Sequence, residues 1–222
     1  MNWRKKSSKN GLLYLILDKE VTDKAGLNIF SLADKLASLE IDIFQLRVKT
    51  TSDKEYLSIA TKLSKIIRKR KKIFIVNDRA DIARLSKASG VHLGENDIKV
   101  SQAREILGKQ AIIGKTIHCL KELVRLENEE RKQTDKVNYI SFGPVFKTKT
   151  KPNLKPLTSN KLKKLVTKSK KLMFAIGGIN KYNINSLLES GITNIAICRG
   201  IIMAKNLKIS VKEYKKCLKK VS

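Results

Sequence analysis

Gln45, Arg47 and Lys49 are the first residues of the chain whose types and spacing suggest chemistry. They stand at alternate positions at the end of a short apolar segment, so a β-strand would direct all three side chains to one side. Two cations and an amide are costly to bury without an anion, and a phosphate or diphosphate matches them in charge and geometry. The spacing therefore predicts an anion site, with a salt-bridge layer inside the protein as the alternative.

Two carboxylates follow the next two apolar segments, Asp78 within Asn77–Arg79 and Asp97 a few residues after the second segment. If these segments are neighbouring parallel strands, both carboxylates lie on adjacent loops beside the anion site. Hard carboxylate oxygens next to phosphate oxygens are what Mg²⁺ binds in proteins, with water molecules completing its coordination. The pattern predicts a magnesium site, and the alternative for Asp78 is a carboxylate at the N-cap or in the first turn of a helix.

A second anion site is predicted from glycines that follow the seventh and eighth apolar segments. The Gly-Gly pair at 177–178 precedes Asn180, at which a helix is predicted to begin, and an Arg-Gly pair stands at 199–200. Glycine amides at the start of a helix bind phosphate, and barrels commonly place such a site there. The lysines and threonines of residues 147–151 also suit an anion. No Ser-His-Asp arrangement is evident, so these parts suit a reaction that joins two phosphorylated substrates.

Eight short apolar segments alternate with helical patterns along the chain. Each segment is continuous and rich in Ile, Val and Phe, as are strands that are buried on both faces of a parallel sheet. Between them, apolar residues recur at helical spacing, with lysine and arginine on the opposite face. The predicted strands are Leu12–Leu17, Ile41–Leu46, Ile73–Val76, Val91–Leu93, Ala111–Gly114, Val137–Phe142, Leu172–Ile176 and Asn194–Cys198.

Eight strand–helix units in 222 residues predict a single (β/α)₈ TIM barrel that occupies the whole chain as one domain. A doubly wound open sheet is the rival, but that fold normally has a glycine-rich turn after its first strand. Here residues 17–20 read Leu-Asp-Lys-Glu, and the next glycine is Gly26. Residues 1–10 are predicted to form a flexible, basic N-terminus. In a barrel the functional residues lie where the strands end, which is where the candidates above are found.

The composition is that of a globular protein, with 41% apolar and 31% charged residues. A net charge of +28 is spread along the chain without an aromatic-interleaved basic stretch, so small phosphorylated molecules, not nucleic acid, are the predicted partners. Cys119, Cys198 and Cys217 have no metal-binding spacing, which indicates a reducing compartment. No apolar run is long enough to predict a membrane span. We expect a cytoplasmic protein without a membrane partner, compatible with a homo-oligomer.

The motifs at the strand ends together resemble those of the thiamine-phosphate synthase family, whose members are (β/α)₈ barrel enzymes. The resemblance runs from about Leu12 to Met203. Any one motif could arise by chance, but the whole set in this order is specific. The motifs are QLR-x-K at Gln45–Lys49, NDR at Asn77–Arg79, GVHLG-x-x-D at Gly90–Asp97, IIG-x-T-x-H at Ile112–His118, FGPVF-x-T-x-TK at Phe142–Lys151 and AIGGI at Ala175–Ile179.

The resemblance implies a Mg²⁺-dependent transferase that joins hydroxymethylpyrimidine diphosphate to thiazole phosphate and releases diphosphate. It implies that the diphosphate is held by Arg47, Lys49, Asn77 and Lys151, and that Mg²⁺ is ligated by Asp78 and Asp97. Gln45 and Thr116 would face the pyrimidine or the diphosphate. The thiazole phosphate would be bound by Thr148, Thr150, the amide of Gly178 and the turn of Arg199 and Gly200. Further substrate contacts are implied for His92, His118 and Gly177, and catalytic contributions for Arg47, Lys49, Thr116 and Lys151.

Two residues depart from the family pattern. Val48 stands where an acidic residue is usual, and its side chain is expected to point away from the site. Arg199 stands where serine is commonest, at the thiazole phosphate end.

Two other functions are compatible with parts of the pattern. A sister barrel that aromatises the thiazole relies on a histidine after the fifth strand, which His118 supplies, but it typically lacks the magnesium and diphosphate residues. A non-catalytic basic protein that binds RNA or another polyanion would have no need for Asp78 and Asp97 in a cationic site.

Overall fold

Eight parallel strands form a closed barrel in the computed structural model of the protein, which describes residues 11–132, 136–148 and 155–219. Each strand pairs with its neighbours in sequence, and the last strand pairs with the first. The predicted (β/α)₈ architecture is therefore confirmed, and the rival open sheet is wrong. Residues 1–10, the predicted flexible N-terminus, lie outside the described ranges. The strands are β1 (Leu13–Asp18), β2 (Ile43–Arg47), β3 (Ile73–Asn77), β4 (Gly90–Leu93), β5 (Ile112–Ile117), β6 (Tyr139–Phe142), β7 (Met173–Ile176) and β8 (Ile195–Ile197).

Helices follow the strands and cover the outside of the barrel. Asn28, Ser52 and Thr158 begin three of them, because each side chain accepts a hydrogen bond from an amide of the first turn. Across the described ranges, no helix is long and apolar enough to cross a membrane. The helices of these ranges are α1 (Lys19–Lys24), α2 (Ile29–Ala37), α3 (Asp53–Lys69), α4 (Ala80–Leu85), α5 (Val100–Leu107), α6 (Leu120–Lys132), α7 (Ser159–Lys168), α8 (Ile184–Leu188), α9 (Arg199–Ile202) and α10 (Leu207–Lys219).

Apolar side chains pack on both sides of the strands. Outward-facing strand residues such as Leu15 and Phe44 join the helices in the larger buried cluster. Alternate strand residues fill the inside of the barrel, where the rings of Tyr14, Tyr139 and Phe174 meet edge to face. Their ring centroids are 5.2 to 5.9 Å apart. The three rings pack together in the barrel interior, below the polar residues at the C-terminal ends of the strands.

At the opposite end of the barrel, a buried ion pair anchors α10. Its Lys215 is 4% exposed, and the ammonium donates to the Gly11 carbonyl at 3.0 Å and to the Asp42 carboxylate at 2.9 Å. Asp42 also accepts the amide of Leu13, at the start of β1. This buried ion pair holds the last helix against the N-terminal ends of the first two strands, and the C-terminal ends remain open.

Candidate active site

A cavity of about 420 Å³ opens at the C-terminal ends of the strands, the end at which barrels carry their functional residues. Side chains from all eight strands line it, so widely separated parts of the sequence meet there. The sequence-predicted site residues that line the cavity are Gln45, Arg47, Asn77, His92, Thr116, His118, Thr148, Gly177, Gly178, Arg199 and Gly200.

Arg47 is held by a carboxylate that the sequence motifs did not assign to the site. Its guanidinium forms an ion pair with Asp18, its direct register partner at the end of β1. Asp18 is 2% exposed and also accepts the amide of Val21, which makes it the cap of α1. A guanidinium has five N–H donors, so this pair leaves Arg47 donors for a ligand in the cavity it lines. The salt-bridge explanation of the Gln45–Lys49 spacing therefore holds at Arg47, and the anion site stays a prediction that the remaining donors allow.

Gln45 and Asn77 belong to a continuous series of hydrogen bonds across the barrel interior, which we call the interior chain. Tyr14 Oη donates to Gln45 Oε1 at 2.6 Å, and Gln45 Nε2 donates to Asn77 Oδ1 at 2.6 Å. Tyr14 Oη is also 2.9 Å from Tyr139 Oη, which lies 3.0 Å from Nδ1 of His92. Burial raises the pKa of both tyrosines well above the usual value, so both phenols are neutral.

The interior chain ends at two hydroxyl groups beside the cavity. His92 Nε2 lies 2.8 Å from Thr116 Oγ1 and 3.2 Å from Ser141 Oγ, and the two hydroxyl oxygens are 3.2 Å apart. Tyr139 fits beside His92 because its neighbour on β5 is Gly114, where a Cβ would lie 2.1 Å from the tyrosine ring. Sequence reasoning missed Ser141, Tyr14 and Tyr139, since each stands within an apolar strand and resembles a core residue.

Asp78 and Asp97 lie close together after β3 and β4, next to Asn77, but neither side chain lines the cavity. The pKa of Asp97 is raised, first by burial and then by the neighbouring Asp78 carboxyl group. Lys49 Nζ lies 2.5 Å from Asp78 Oδ2. The helix alternative for Asp78 is wrong, because Arg79 occupies the cap position of α4 and the first turn begins at Ala80. Asp78 instead has a φ of +64°, a strained conformation for a residue with a side chain and one that concentrates at functional sites.

The glycines after β7 and the turn after β8 form the other side of the cavity. Gly177 and Gly178 have φ values of +97° and +68°. A Cβ on Gly178 would lie 2.5 Å from the carbonyl oxygen of Lys147, so this turn requires glycine to approach the loop after β6. α9 begins at Arg199, directly after β8, which places the amides of Arg199 and Gly200 in a first helical turn without internal acceptors.

Two placements differ from the sequence-based expectations. Lys49 does not line the cavity with Gln45 and Arg47, because β2 ends at Arg47 and the strand alternation ends with it. The helix after β7 begins at Ile184 and not at Asn180. Asn180 lies instead in a turn in which its side chain accepts the amide of Tyr182. Val48 is buried in the outer core cluster, away from the cavity, as expected.

A family model for thiamine monophosphate synthase matches residues 13–201 of the chain. The chain belongs to the thiamine monophosphate synthase family. A thiamine-phosphate synthase of Prochlorococcus marinus subsp. pastoris is 38% identical over 201 residues, which cover 90% of this chain and 54% of the relative. A thiamine-phosphate synthase of Fusobacterium nucleatum is 34% identical over 203 residues, covering 91% of this chain and 95% of the relative. The chain thus spans about half the length of the Prochlorococcus relative and nearly all of the Fusobacterium relative.

A solved structure resembles the whole barrel. The thiamine phosphate pyrophosphorylase of Pyrococcus furiosus superposes with a TM-score of 0.80 and is 28% identical. The match covers 95% of this chain and 96% of that chain. The similarity therefore includes all eight strand–helix units and not only the motifs.

The remaining candidate residues lie either in the cavity lining or outside the described ranges. Thr150 and Lys151 lie outside the described residues. His118 lines the cavity, its amide donates to Glu122 Oε2 at 2.8 Å, and its Nδ1 is 3.3 Å from the same oxygen. Cys198 also lines the cavity, and burial raises the pKa of its thiol to about 12, so the thiol is not an activated nucleophile.

Proposed function

We propose that the protein acts as a thiamine-phosphate synthase, a transferase that couples 4-amino-2-methyl-5-hydroxymethylpyrimidine diphosphate with thiazole phosphate. One observation carries the proposal: a single cavity with anion-binding groups on two sides, in a chain of this family. Gln45, Arg47 and Asn77 stand on one side, and Gly178 with the 199–200 turn stands on the other. This arrangement suits two phosphorylated substrates whose reacting atoms meet between the two sides.

The proposed reaction depends on the departure of a charged leaving group and needs no protein nucleophile. Arg47, Lys49 and Asn77 would donate to the diphosphate oxygens, where negative charge grows as the carbon–oxygen bond breaks. The electron-rich aminopyrimidine stabilises the cation that remains, and the thiazole nitrogen attacks it. The remaining contribution of the protein is to hold both substrates in the reactive arrangement and to exclude water.

We also propose that Asp78 and Asp97 bind Mg²⁺. No cluster of three or more metal-binding side chains occurs in the described ranges, which suits an ion that uses one or two carboxylates together with substrate phosphates and water. The raised pKa of Asp97, due to burial and to Asp78, supports the fit, because repulsion between the two carboxyl groups persists beside the Lys49 ammonium and a divalent cation would offset it. When bound, Mg²⁺ would supply positive charge to the departing diphosphate.

A coupled assay tests the proposed function. The purified protein is incubated with both substrates and Mg²⁺, and thiamine phosphate is measured by mass, with each substrate omitted in turn as a control. We expect product only when both substrates are present. Absence of product, together with salt-sensitive retention of RNA by the same protein, would favour the alternative of a basic polyanion-binding protein.

One observation favours thiazole aromatisation as a second candidate. His118 lines the cavity with the Glu122 carboxylate beside it, the type of pair that can move a proton. Thiazole aromatisation would not use Arg47 or the Asp78–Asp97 pair, and their presence therefore favours the synthase. We expect no conversion when the non-aromatic thiazole phosphate is supplied alone. Conversion well above the uncatalysed rate would favour thiazole aromatisation as the function of this protein.

Arg199→Ser is expected to weaken thiazole phosphate binding by about 1.5–3 kcal/mol, the range for a hydrogen bond to a charged group. The reason is that Arg199 lines the cavity at the turn proposed to bind this phosphate. Affinity for the pyrimidine diphosphate should stay unchanged, because that ligand is proposed to bind on the opposite side. Separate calorimetric titrations of the two ligands measure both effects.

The matched control for this prediction is Arg125→Ser on α6, which removes the same charge from a side chain that is 83% exposed and pairs with Glu129. This variant should bind both ligands as the parent does. If Arg199→Ser also binds thiazole phosphate like the parent, Arg199 has no role in phosphate binding and the backbone amides hold the phosphate alone.

A further inference from the structure

The protonation state of His92 follows from counting protons along the interior chain. Between Gln45 Oε1 and His92 Nδ1 there are three contacts, of 2.6, 2.9 and 3.0 Å, and two tyrosine hydroxyls. Each neutral phenol supplies one proton, and the amide oxygen of Gln45 only accepts. If Tyr14 donates to Gln45, Tyr139 must donate to Tyr14, and no phenol proton remains for the third contact. His92 must therefore carry a proton on Nδ1.

The orientation of the Gln45 and Asn77 side-chain amides determines which group donates in each hydrogen bond of the interior chain. Gln45 Nε2 donates to Asn77 Oδ1 at 2.6 Å, so Gln45 Oε1 faces Tyr14. With its oxygen directed at Gln45, Asn77 has its Nδ2 donors left for the cavity that it lines. An anion in the cavity selects the same orientation, because it accepts from N–H groups. If both side-chain amides were rotated by 180°, donor and acceptor would exchange in every hydrogen bond of the interior chain. The proton of His92 would then be on Nε2.

The proton on Nδ1 also determines what Thr116 offers to a ligand. In a neutral imidazole with this proton, Nε2 of His92 is an acceptor, and the nearer hydroxyl, that of Thr116 at 2.8 Å, donates to it. Ser141 lies 3.2 Å from Thr116 Oγ1 and can donate to it. Thr116 has then used its single proton and presents a lone pair to the cavity that it lines.

We propose that Tyr14 and Tyr139 are positioning residues that transmit the amide orientation to His92, and that Thr116 thereby accepts a hydrogen bond from the exocyclic amine of the pyrimidine. The identity of the ligand in this inference rests on the proposed function. A lone pair attracts an amine at this position and repels a carbonyl oxygen. The interior chain therefore selects an aminopyrimidine over the corresponding oxopyrimidine.

The ligand-free protein tests the proton position without reference to any reaction. The chain contains two histidines, so ring-nitrogen NMR of histidine-labelled protein, compared with the His118→Gln variant, assigns the signals of His92. We expect a proton on Nδ1 and none on Nε2. A proton on Nε2, alone or together with one on Nδ1, overturns the proposal whether or not the protein makes thiamine phosphate.

Tyr139→Phe removes the hydroxyl between Tyr14 and His92 and tests whether the amide orientation determines the tautomer of His92. We expect the single tautomer of His92 to give way to a mixture, and the affinity for the pyrimidine diphosphate to fall about five- to tenfold, as for one lost hydrogen bond. Affinity for inorganic diphosphate should change less than about twofold, because that probe lacks the ring. Retention of the Nδ1–H tautomer together with unchanged pyrimidine diphosphate affinity overturns the proposal. If Tyr139→Phe does not fold, Tyr14→Phe makes the same test.

The matched control is Tyr56→Phe, which also removes a buried phenol hydroxyl. This hydroxyl donates to the Asn77 carbonyl oxygen at 2.9 Å and is not part of the interior chain, so the His92 signals should not change. Competition between the 4-amino and 4-oxo forms of the pyrimidine diphosphate completes the test. We expect the parent to prefer the amine about tenfold or more and Tyr139→Phe to prefer it less. An equal preference in both proteins overturns the assignment of Thr116 as the acceptor.

Discussion

Arg47→Ala should lower turnover by a factor of about 30 to 10³, which corresponds to roughly 2–4 kcal/mol of lost transition-state stabilisation. Arg47 lines the cavity, and its guanidinium is proposed to bind the leaving diphosphate, where charge grows during bond cleavage. Product formation under saturating substrates measures the effect. Arg47→Lys should recover only part of the activity, because an ammonium keeps the charge but loses the planar, forked geometry of the guanidinium. The motif alone predicts a similar loss for Lys151→Ala, outside the described residues.

The ion pair with Asp18 requires a second variant as a control. In Arg47→Ala the Asp18 carboxylate, 2% exposed, loses its charged partner, which is expected to cost stability. The double variant Asp18→Asn, Arg47→Ala removes that buried charge, and asparagine still caps α1. We expect its melting temperature to recover and its turnover to remain low. Recovery of turnover along with stability would make Arg47 a structural residue.

Removal of the metal should abolish activity, and Asp78→Asn or Asp97→Asn should each lower turnover at least about tenfold. The physical reason is the loss of positive charge at the departing diphosphate. Assays with EDTA, with added Mg²⁺ and with each variant measure these effects. Full activity in EDTA would contradict the proposed metal.

A control variant and a pH dependence distinguish loss of the metal site from a mere change in the net charge of the protein. Asp34→Asn removes a carboxylate that is 59% exposed on α2 and pairs with Arg70, so turnover should not change. The raised pKa of Asp97 sets the sign of the pH dependence, because its carboxyl takes up a proton at a higher pH than an ordinary aspartate. Mg²⁺ must displace that proton, so the Mg²⁺ concentration required for half-maximal activity should increase as the pH falls.

The ends of the strands were predictable because an apolar run is followed by chemistry-bearing residues at a defined spacing. Gln45 and Arg47 were assigned to the cavity in this way, and the structure places both in its lining. Lys49 was assigned by the same alternation but does not line the cavity, since β2 ends two residues earlier. The roles of all these residues, a single-domain organisation, the cytoplasmic location and self-association remain predictions.

The sequence by itself determined the barrel and the family, because strand length, helical period and motif order are local properties that survive without knowledge of any contact. Only the tertiary structure decided which residues touch. Sequence patterns assigned neither Asp18 nor Tyr139 to the site. The pairing of β1 with β2 brings Asp18 to Arg47, and closure of the barrel brings Tyr139 of β6 between Tyr14 and His92. Side-chain hydrogen bonds depend on register and on the shear of neighbouring strands. These are set by packing across the whole barrel, and no segment of the sequence encodes them alone.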